Sequence, residues 1–368
     1  MCVNNEGEWS LVAEVKASDE PVAVILAGGQ GSRLWPISRD RRPKQFQPVV
    51  RDRPLLTGTI ERLSELVDPS RIHVSTRARF ADAARATLGP VPPENLILEE
   101  DPAGPATAFA LSIARMSHLY GNAPALIAPS DHLINEEEAF NGASRDMLDQ
   151  LTRTPESMVV LGAEPTRYDQ SLGYIHTRGG DGSVEVIDSF HEKPDQATVD
   201  ELSESGSLYW NTACYGVRVQ QACDAYRSAL PLIFDSIERF ARAAPTEQGY
   251  RGAAIGGHEI YPLLYAGMEC LVVPRQLGWT DVGTWPRLER VLADQRVTSI
   301  GPAIHLDAED VLVASMDGRP VVTLGARGLI IVTHEDAVYV LDKKRALDTP
   351  TLERLRSLLA ASTREDLL

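Results

Sequence analysis

The chain has few cysteines and no long apolar run, and each shortage excludes a class of protein. Its four cysteines show no CxxC spacing, so we expect free thiols rather than a zinc site or a disulfide framework. No apolar stretch approaches the roughly 20 residues of a membrane span, and the polar, acidic first ten residues are unlike a secretory signal. We therefore expect a cytoplasmic protein with no membrane partner.

Positive charge is also scarce. The chain has 36 Lys and Arg residues against 52 Asp and Glu residues, which gives a formal net charge of −16. Proteins that bind nucleic acids generally present a basic surface to the phosphates, so we expect no nucleic-acid partner. A small anionic ligand needs only a local basic cluster. One such cluster lies within a single short segment and comprises Arg33, Arg39, Arg41, Arg42 and Lys44.

That segment is rich in glycine and follows the apolar run Val22–Leu26, which we predict to be a buried strand. It reads LAGGQGSRLWPISRDRRPKQF. Glycines let the backbone turn sharply and bring its N–H groups close to a polyphosphate, for which Arg33 and Lys44 supply positive charge. We therefore predict a nucleotide-binding loop that comprises Leu26, Ala27, Gly28, Gly29, Gly31, Ser32, Arg33 and Lys44.

Two common phosphate-binding loops do not fit this segment. A Walker loop needs a Lys directly after its last glycine, but Ser32 and Arg33 follow Gly31. The dinucleotide fingerprint GxGxxG opens a helix, whereas Pro36 falls where that helix would begin its second turn. A plain strand-to-helix turn remains the structural alternative.

Apolar runs alternate with helix-like segments from residue 22 to about residue 160. The predicted strands are 22–26, 72–75, 96–98, 125–128 and 158–161, and the predicted helices are 55–67, 78–88, 107–119 and 136–151. This pattern indicates an α/β fold with a Rossmann-like, mainly parallel sheet and flanking helices. Ligands bind at the carboxyl ends of such strands, so Ser130 and Asp131 should lie beside the glycine loop and take part in binding the nucleotide.

We expect three parts of the chain. Residues 1–20 form an N-terminal extension, residues 21–295 the catalytic domain, and residues 296–368 a small β domain closed by a helix over 350–361. The last assignment rests on the glycine-punctuated β segments VLVAS, PVVTL, GLIIVT and AVYVL. No clear hexapeptide repeat is visible in them.

The glycine-rich segment resembles the signature of the mannose-1-phosphate guanylyltransferases, a branch of the sugar-1-phosphate nucleotidyltransferases. In that family LAGG-x-G-x-RLWP-x-S-R is followed by PKQF. The resemblance continues in order as far as about residue 343, with FHEKP at 190–194, YWNTACYG at 209–216 and GWTDVGTW at 278–285. It implies the nucleotidyltransferase fold, a C-terminal domain of the short left-handed β-helix type, and a homodimer.

The resemblance also implies transfer of a nucleotidyl group from a nucleoside triphosphate, GTP by preference, to a sugar 1-phosphate, mannose 1-phosphate by preference. Lys193 is a compact ammonium suited to the sugar phosphate, and Glu192 and Asn211 can bond sugar hydroxyls. The expected sugar-phosphate site is Gly173, Glu192, Lys193 and Asn211. The expected catalytic residues are Arg33, Lys44 and Lys193.

A magnesium ion is the one cofactor that we expect. Asp131 and Asp281 are hard oxygen ligands at two separate strand ends, which suits Mg²⁺ shared with water and substrate phosphates. Each acid alone has a plainer interpretation as a turn or helix-cap residue. We expect His132 to orient the Asp131 turn rather than to act as a base.

Three departures from the family pattern keep other substrates open. Pro105 and Ala106 stand where the family has Arg and Asn near the nucleobase, and Ile260 and Tyr265 stand where two acids would align. The family has two consecutive Gly-Tyr pairs beside the sugar, and QSLGYI at 170–175 keeps only the second of them. A nucleotidyltransferase for another base or sugar, and a regulatory subunit that binds nucleotide-sugar without turnover, are therefore the alternatives.

Overall fold

The computed structural model describes residues 2–3, 9–10, 19–50, 52–100, 104–180, 183–243, 249–294 and 299–362. The strands are β1 Cys2–Val3, β2 Trp9–Ser10, β3 Val22–Leu26, β4 Ile72–Arg77, β5 Leu96–Glu99, β6 Pro124–Pro129, β7 His132–Leu133, β8 Met158–Ala163, β9 Gly173–Thr177, β10 Glu185–Glu192, β11 Ser207–Arg218, β12 Cys270–Arg275, β13 Thr280–Asp281, β14 Ser299–Ile300, β15 Ala303–Leu306, β16 Glu309–Ser315, β17 Val321–Leu324, β18 Arg327–His334 and β19 Ala337–Asp342.

The helices are α1 Leu55–Ser64, α2 Ala81–Arg85, α3 Pro105–Tyr120, α4 Glu137–Arg153, α5 Gln196–Ser205, α6 Val219–Ala229, α7 Pro231–Ala243, α8 Tyr261–Tyr265, α9 Trp285–Asp294 and α10 Thr349–Ala361. All five predicted strands of the first half are present. The helix predicted over 78–88 is shorter, because a 3₁₀ turn at Ala78–Phe80 precedes the five-residue α2.

The central sheet has nine strands in the order β5-β4-β3-β6-β11-β8-β12-β10-β9. Its first four strands are parallel, as are β8 and β12. However, β11 runs antiparallel to β6, β8 and β9, and β10 runs antiparallel to β9 and β12. The prediction of a mainly parallel sheet is therefore wrong for the second half, where the antiparallel pairs outnumber the single parallel pair of β8 and β12.

Helices pack on both faces of the first part of this sheet, which explains why a strand such as β3 is apolar along its whole length. In β3, Ala23 and Ile25 belong to the core on one face, whereas Val22 and Val24 belong to the core on the other. All four are fully buried. Burial on both faces leaves the carboxyl ends of the strands as the natural place for a site.

The C-terminal region winds as a coil of stacked strands. β14, β16 and β18 pair in parallel, as do β15 and β17, and β19 closes the first set antiparallel to β18. The partners Glu309 and Arg327, like Ser315 and Thr333, are 18 residues apart. Leu312 and Ile330 pack in one core with Leu34 and Trp285, so this region is joined to the first part of the chain through apolar contacts.

Two expectations about composition can be checked in the described residues. Cys214, Cys223 and Cys270 are buried free thiols, and burial raises the pKa of Cys214 to about 11. The side chain of Cys2 and most of the predicted N-terminal extension lie outside the described residues. Within the described part of the chain, no helix combines the length and the apolar character that crossing a bilayer requires.

Candidate active site

The glycine loop and the Ser130–Asp131 turn lie side by side. β3 and β6 are parallel partners, with Leu26 opposite Pro129. The Ser130 N–H donates to the Leu26 carbonyl at 3.1 Å. The two motifs, which are about a hundred residues apart in sequence, therefore share one edge of the sheet, as predicted.

The shape of the glycine loop is held by Gln45, which sequence analysis did not single out. Its Nε2 donates to the carbonyls of Ala27 and Gly29, each at 2.8 Å. Gly31 has φ 63°, and a Cβ there would lie 2.6 Å from Ser38 Oγ, so this position requires glycine. A Cβ at Gly28 or at Gly29 would meet nothing within 4 Å, so there is open space beside the loop.

Lys44 fixes the first of the two predicted metal ligands. It begins the 3₁₀ turn Lys44–Phe46, is buried, and places Nζ 2.6 Å from Asp131 Oδ2 and in contact with the Val282 carbonyl. Burial disfavours the charged form of Asp131, but the attraction of Lys44 and His132 outweighs it and lowers the pKa of that carboxyl. Asp131 is therefore ionised at neutral pH.

Asp281 lies next to Asp131 because β7 and β13 pair, with Asp281 opposite His132. The Val282 N–H also donates to the Asp131 carbonyl at 3.3 Å. Burial raises the pKa of Asp281, and its pairing with Arg287 only partly offsets that effect. The two carboxylates therefore come together at the same strand ends.

Arg33 completes this cluster. It follows Ser32 in the 3₁₀ turn Ser32–Leu34. A Cβ on Gly283 would lie 3.1 Å from Asp281 Oδ2 and 3.4 Å from Arg33 Nη2, so both groups flank that glycine. The structure thus brings together four predicted residues, which are Arg33, Lys44, Asp131 and Asp281.

The donor set suits a metal that is shared with a substrate. Magnesium is usually held by one or two carboxylates together with water and phosphate oxygens. Among the residues that the structure describes, no group of three or more His, Cys, Asp or Glu is placed to hold a metal. Asp131 and Asp281 therefore fit Mg²⁺ bound with phosphates and do not fit an all-protein cage.

The four predicted sugar-phosphate residues also form one group. Gly173 pairs with Glu192 across β9 and β10. A Cβ at Gly173 would lie 3.0 Å from Glu192 Oε2 and 3.6 Å from Asn211 Cβ. Lys193, at φ 52°, places Nζ 2.9 Å from Glu192 Oε1, and its side chain is 59% exposed. This ammonium is thus accessible to a ligand.

Glu259 is a second residue that sequence analysis missed. Asn211 Nδ2 donates to the Tyr215 hydroxyl at 3.3 Å, and that hydroxyl donates to Glu259 Oε1 at 2.9 Å. Tyr215 and Glu259 are buried, so their hydrogen bonds fix the orientation of the half-buried Asn211. Two acids of the family pattern would align at Ile260 and Tyr265, whereas the buried acid of this chain stands one residue before Ile260.

A further pocket adjoins the glycine loop. It is lined by Leu26, Gly28, Gly29, Arg77, Glu99, Gly104, Pro105 and Ala108. Ala106 is fully buried in α3, so of the two departures predicted near the nucleobase only Pro105 lines this pocket.

Glu99 is the acidic residue of this pocket, and no motif pointed to it. It ends β5 and is only 4% exposed, with Ser75 Oγ 3.4 Å from its Oε1. Burial raises the pKa of Glu99 to about 7, although Arg77 and Ser75 act in the opposite direction. A buried carboxylate with few bonds of its own is suited to accept hydrogen bonds from a ligand.

Comparisons with known proteins show the family of the chain. Residues 22–296 match the nucleotidyl transferase family. Xanthan biosynthesis protein XanB of Xanthomonas campestris is 30% identical over 332 residues, which cover 88% of this chain and 70% of that protein. Mannose-1-phosphate guanylyltransferase of Escherichia coli K12 is 30% identical over 346 residues, covering 88% and 71%.

A solved structure extends the similarity to the backbone. The crystal structure of mannose-1-phosphate geranyltransferase from Thermus thermophilus is 30% identical, with a TM-score of 0.81. The match covers 92% of this chain and 99% of that one, so it includes the C-terminal coil as well as the central sheet.

Proposed function

The chain belongs to the nucleotidyl transferase family, and from that membership we propose that it transfers GMP from GTP to mannose 1-phosphate in the cytoplasm. The products are GDP-mannose and pyrophosphate. The observation that carries the proposal is the convergence of Arg33, Lys44, Asp131 and Asp281 beside the glycine loop.

The reaction needs no protein nucleophile, because the sugar phosphate is itself anionic at neutral pH. One of its oxygens bonds to the α-phosphorus of the triphosphate, and the bond from that phosphorus to the bridging oxygen breaks to release pyrophosphate. The protein aligns the two phosphates and neutralises the developing charge. We assign Arg33, Lys44 and the loop N–H groups to the triphosphate, and Lys193 to the sugar phosphate.

We further propose that Asp131 and Asp281 hold Mg²⁺ when substrates bind. The ion supplies positive charge to the phosphates during transfer. The low pKa of Asp131 supports this role, because an ionised carboxylate is available as a ligand at neutral pH.

Glu99 supports GTP as the triphosphate. Guanine carries two neighbouring donors, N1–H and N2–H₂, on its pairing edge, and a carboxylate can accept from both. Glu99 lines the pocket that adjoins Gly28 and Gly29, so a base held there would extend from a triphosphate on the loop.

The assignment of Lys193 can be tested by replacing it with Ala. We expect the KM for mannose 1-phosphate to rise about tenfold or more, with little change in the KM for GTP, because the two phosphates have different cationic partners. Arg33→Ala should instead impair GTP use and kcat. Steady-state kinetics with each substrate varied in turn would reveal the difference. Unchanged kinetic constants in Lys193→Ala would remove this residue from the site.

We also propose that the C-terminal coil is a left-handed β-helix. We propose that two copies of the chain form a homodimer through this coil. Paired strands β15 and β17 present exposed apolar side chains, which are Ile304, Leu306, Val322 and Leu324. Such a continuous face is typical of an interface.

The dimer proposal predicts the effect of one double substitution. Val322→Glu with Leu324→Glu should convert the dimer into a monomer in sedimentation, because two charges would be buried without partners. Val340→Glu, at an exposed apolar position on β19, is the control and should leave the dimer intact. A monomeric wild-type protein would contradict the proposal.

A further inference from the structure

Arg287 is the most buried charged side chain around the site, and the mechanism above does not use it. It lies in the first turn of α9 and is 2% exposed. Its Nη1 contacts Asp281 Oδ1. Its Nη2 lies 3.2 Å from Asp169 Oδ1 and also contacts Ser171 Oγ. One planar guanidinium thus joins two separate parts of the chain.

Each of these two parts lies at the proposed binding site of one of the two substrates. Asp281 is in the cluster assigned to the triphosphate and its metal. Asp169 and Ser171 form the turn that leads directly into Gly173 of the sugar-phosphate group. Ser171 N–H and Oγ both bond Asp169 Oδ1, and the Leu172 carbonyl accepts from the Lys193 N–H at 3.2 Å. The turn therefore contacts the backbone of Lys193 as well.

We propose that Arg287 is a positioning residue that couples the binding of the sugar 1-phosphate to the binding of the triphosphate. The proposal rests on the function proposed above. When a ligand binds beside the 169–173 turn, Asp169 and Ser171 hold the guanidinium in the orientation that Asp281 needs, and a ligand at Asp281 favours the same orientation toward Asp169 and Ser171. Such coupling is reciprocal by thermodynamic necessity.

Binding without turnover tests this coupling. The ligands are mannose 1-phosphate and a GTP analogue that carries a methylene group in place of the α,β-bridging oxygen, with Mg²⁺ present. In calorimetry, wild-type protein should bind mannose 1-phosphate about tenfold more tightly when the analogue is bound, a typical coupling. Arg287→Met should reduce this factor to less than about twofold, while each ligand alone still binds.

Arg290 offers a matched control. It also faces Asp169, with Nη2 3.7 Å from Oδ2, and its side chain is 44% exposed. Arg290→Met should keep the wild-type coupling. Arg287→Lys keeps the charge but loses the planar fork that reaches both partners, so it should behave like Arg287→Met. Should Arg287→Met fail to fold, Ser171→Ala removes one anchor without leaving a buried charge, and it should lower the coupling factor by itself.

The outcomes separate this inference from the proposed function. A wild-type protein that binds neither ligand would contradict the function. A wild-type protein that turns over both substrates but binds them independently would overturn only the coupling. The same conclusion would follow if Arg287→Met or Ser171→Ala kept the full coupling factor.

Discussion

Asp131→Asn and Asp281→Asn are each expected to lower kcat by about 100-fold or more, the scale of several kcal/mol of lost charge neutralisation. Asparagine preserves the size of the side chain and an acceptor oxygen, so the contacts with Lys44 and Arg287 remain possible. It removes the negative charge that attracts a divalent cation. The variants should therefore also need a higher Mg²⁺ concentration for half-maximal rate.

Measurement of kcat across a Mg²⁺ titration, with thermal melting alongside, distinguishes loss of the metal from loss of the fold. Asp188→Asn serves as the control, because this residue lies on β10 and pairs with Arg178 away from the cluster. An Asp131 or Asp281 variant with near wild-type kcat at limiting Mg²⁺ would mean that this residue is not a ligand.

The second large effect is expected at Glu99. Glu99→Gln should lower kcat/KM for GTP by about 100-fold, because the amide presents a donor to a base edge that offers donors, and a buried donor is left unpaired. The amide matches adenine, which offers one donor beside one acceptor. The kcat/KM for GTP divided by the kcat/KM for ATP should consequently fall by a larger factor than the kcat/KM for GTP alone.

The same carboxylate predicts a pH dependence. Because burial raises the pKa of Glu99 to about 7, the group becomes protonated below that pH and loses its capacity to accept from both guanine donors. The KM for GTP should therefore rise about tenfold between pH 8 and pH 6, and this rise should be absent in Glu99→Gln. Arg77 and Ser75 are the groups that face Glu99, and Arg77 stays charged over this range.

Glu100→Gln is the matched control for Glu99. Glu100 is the next residue, but its carboxylate accepts from the Gly249 N–H at 3.2 Å and faces Arg251. The Glu100→Gln substitution should leave base selectivity, and the pH dependence of the KM for GTP, unchanged. Equal GTP preference in Glu99→Gln and wild type would remove Glu99 from base recognition.

The first half of the fold could be predicted because its strands are short apolar runs buried on both faces. β3, β4, β5, β6 and β8 all lie where those runs predict them. Strand direction in the second half could not be predicted, because the apolar pattern of β11 is the same whichever way it pairs. The pairing of β15 with β17 could not be predicted either. Their paired residues are 18 positions apart, and no sequence motif repeats at that interval.

The site was predictable to the extent that it consists of motifs. The predicted family resemblance is confirmed, and the motif residues meet in two groups around Asp131 and Glu192. Glu99 and Arg287 were missed because their proposed roles depend on residues that are far apart along the chain. Arg287 binds Asp169, which is 118 residues away in sequence, so the residues around Arg287 do not indicate this contact.

Release of pyrophosphate is the measurement that tests the central claim most directly. The protein would be mixed with Mg²⁺, each of the five common nucleoside triphosphates and a panel of sugar 1-phosphates. The proposed function predicts release only when both substrates are present, with GTP and mannose 1-phosphate the best pair. Tenfold better use of dTTP or ATP would contradict the base assignment alone. Binding of nucleotide-sugar without pyrophosphate release from any pair would contradict catalysis and indicate a regulatory subunit.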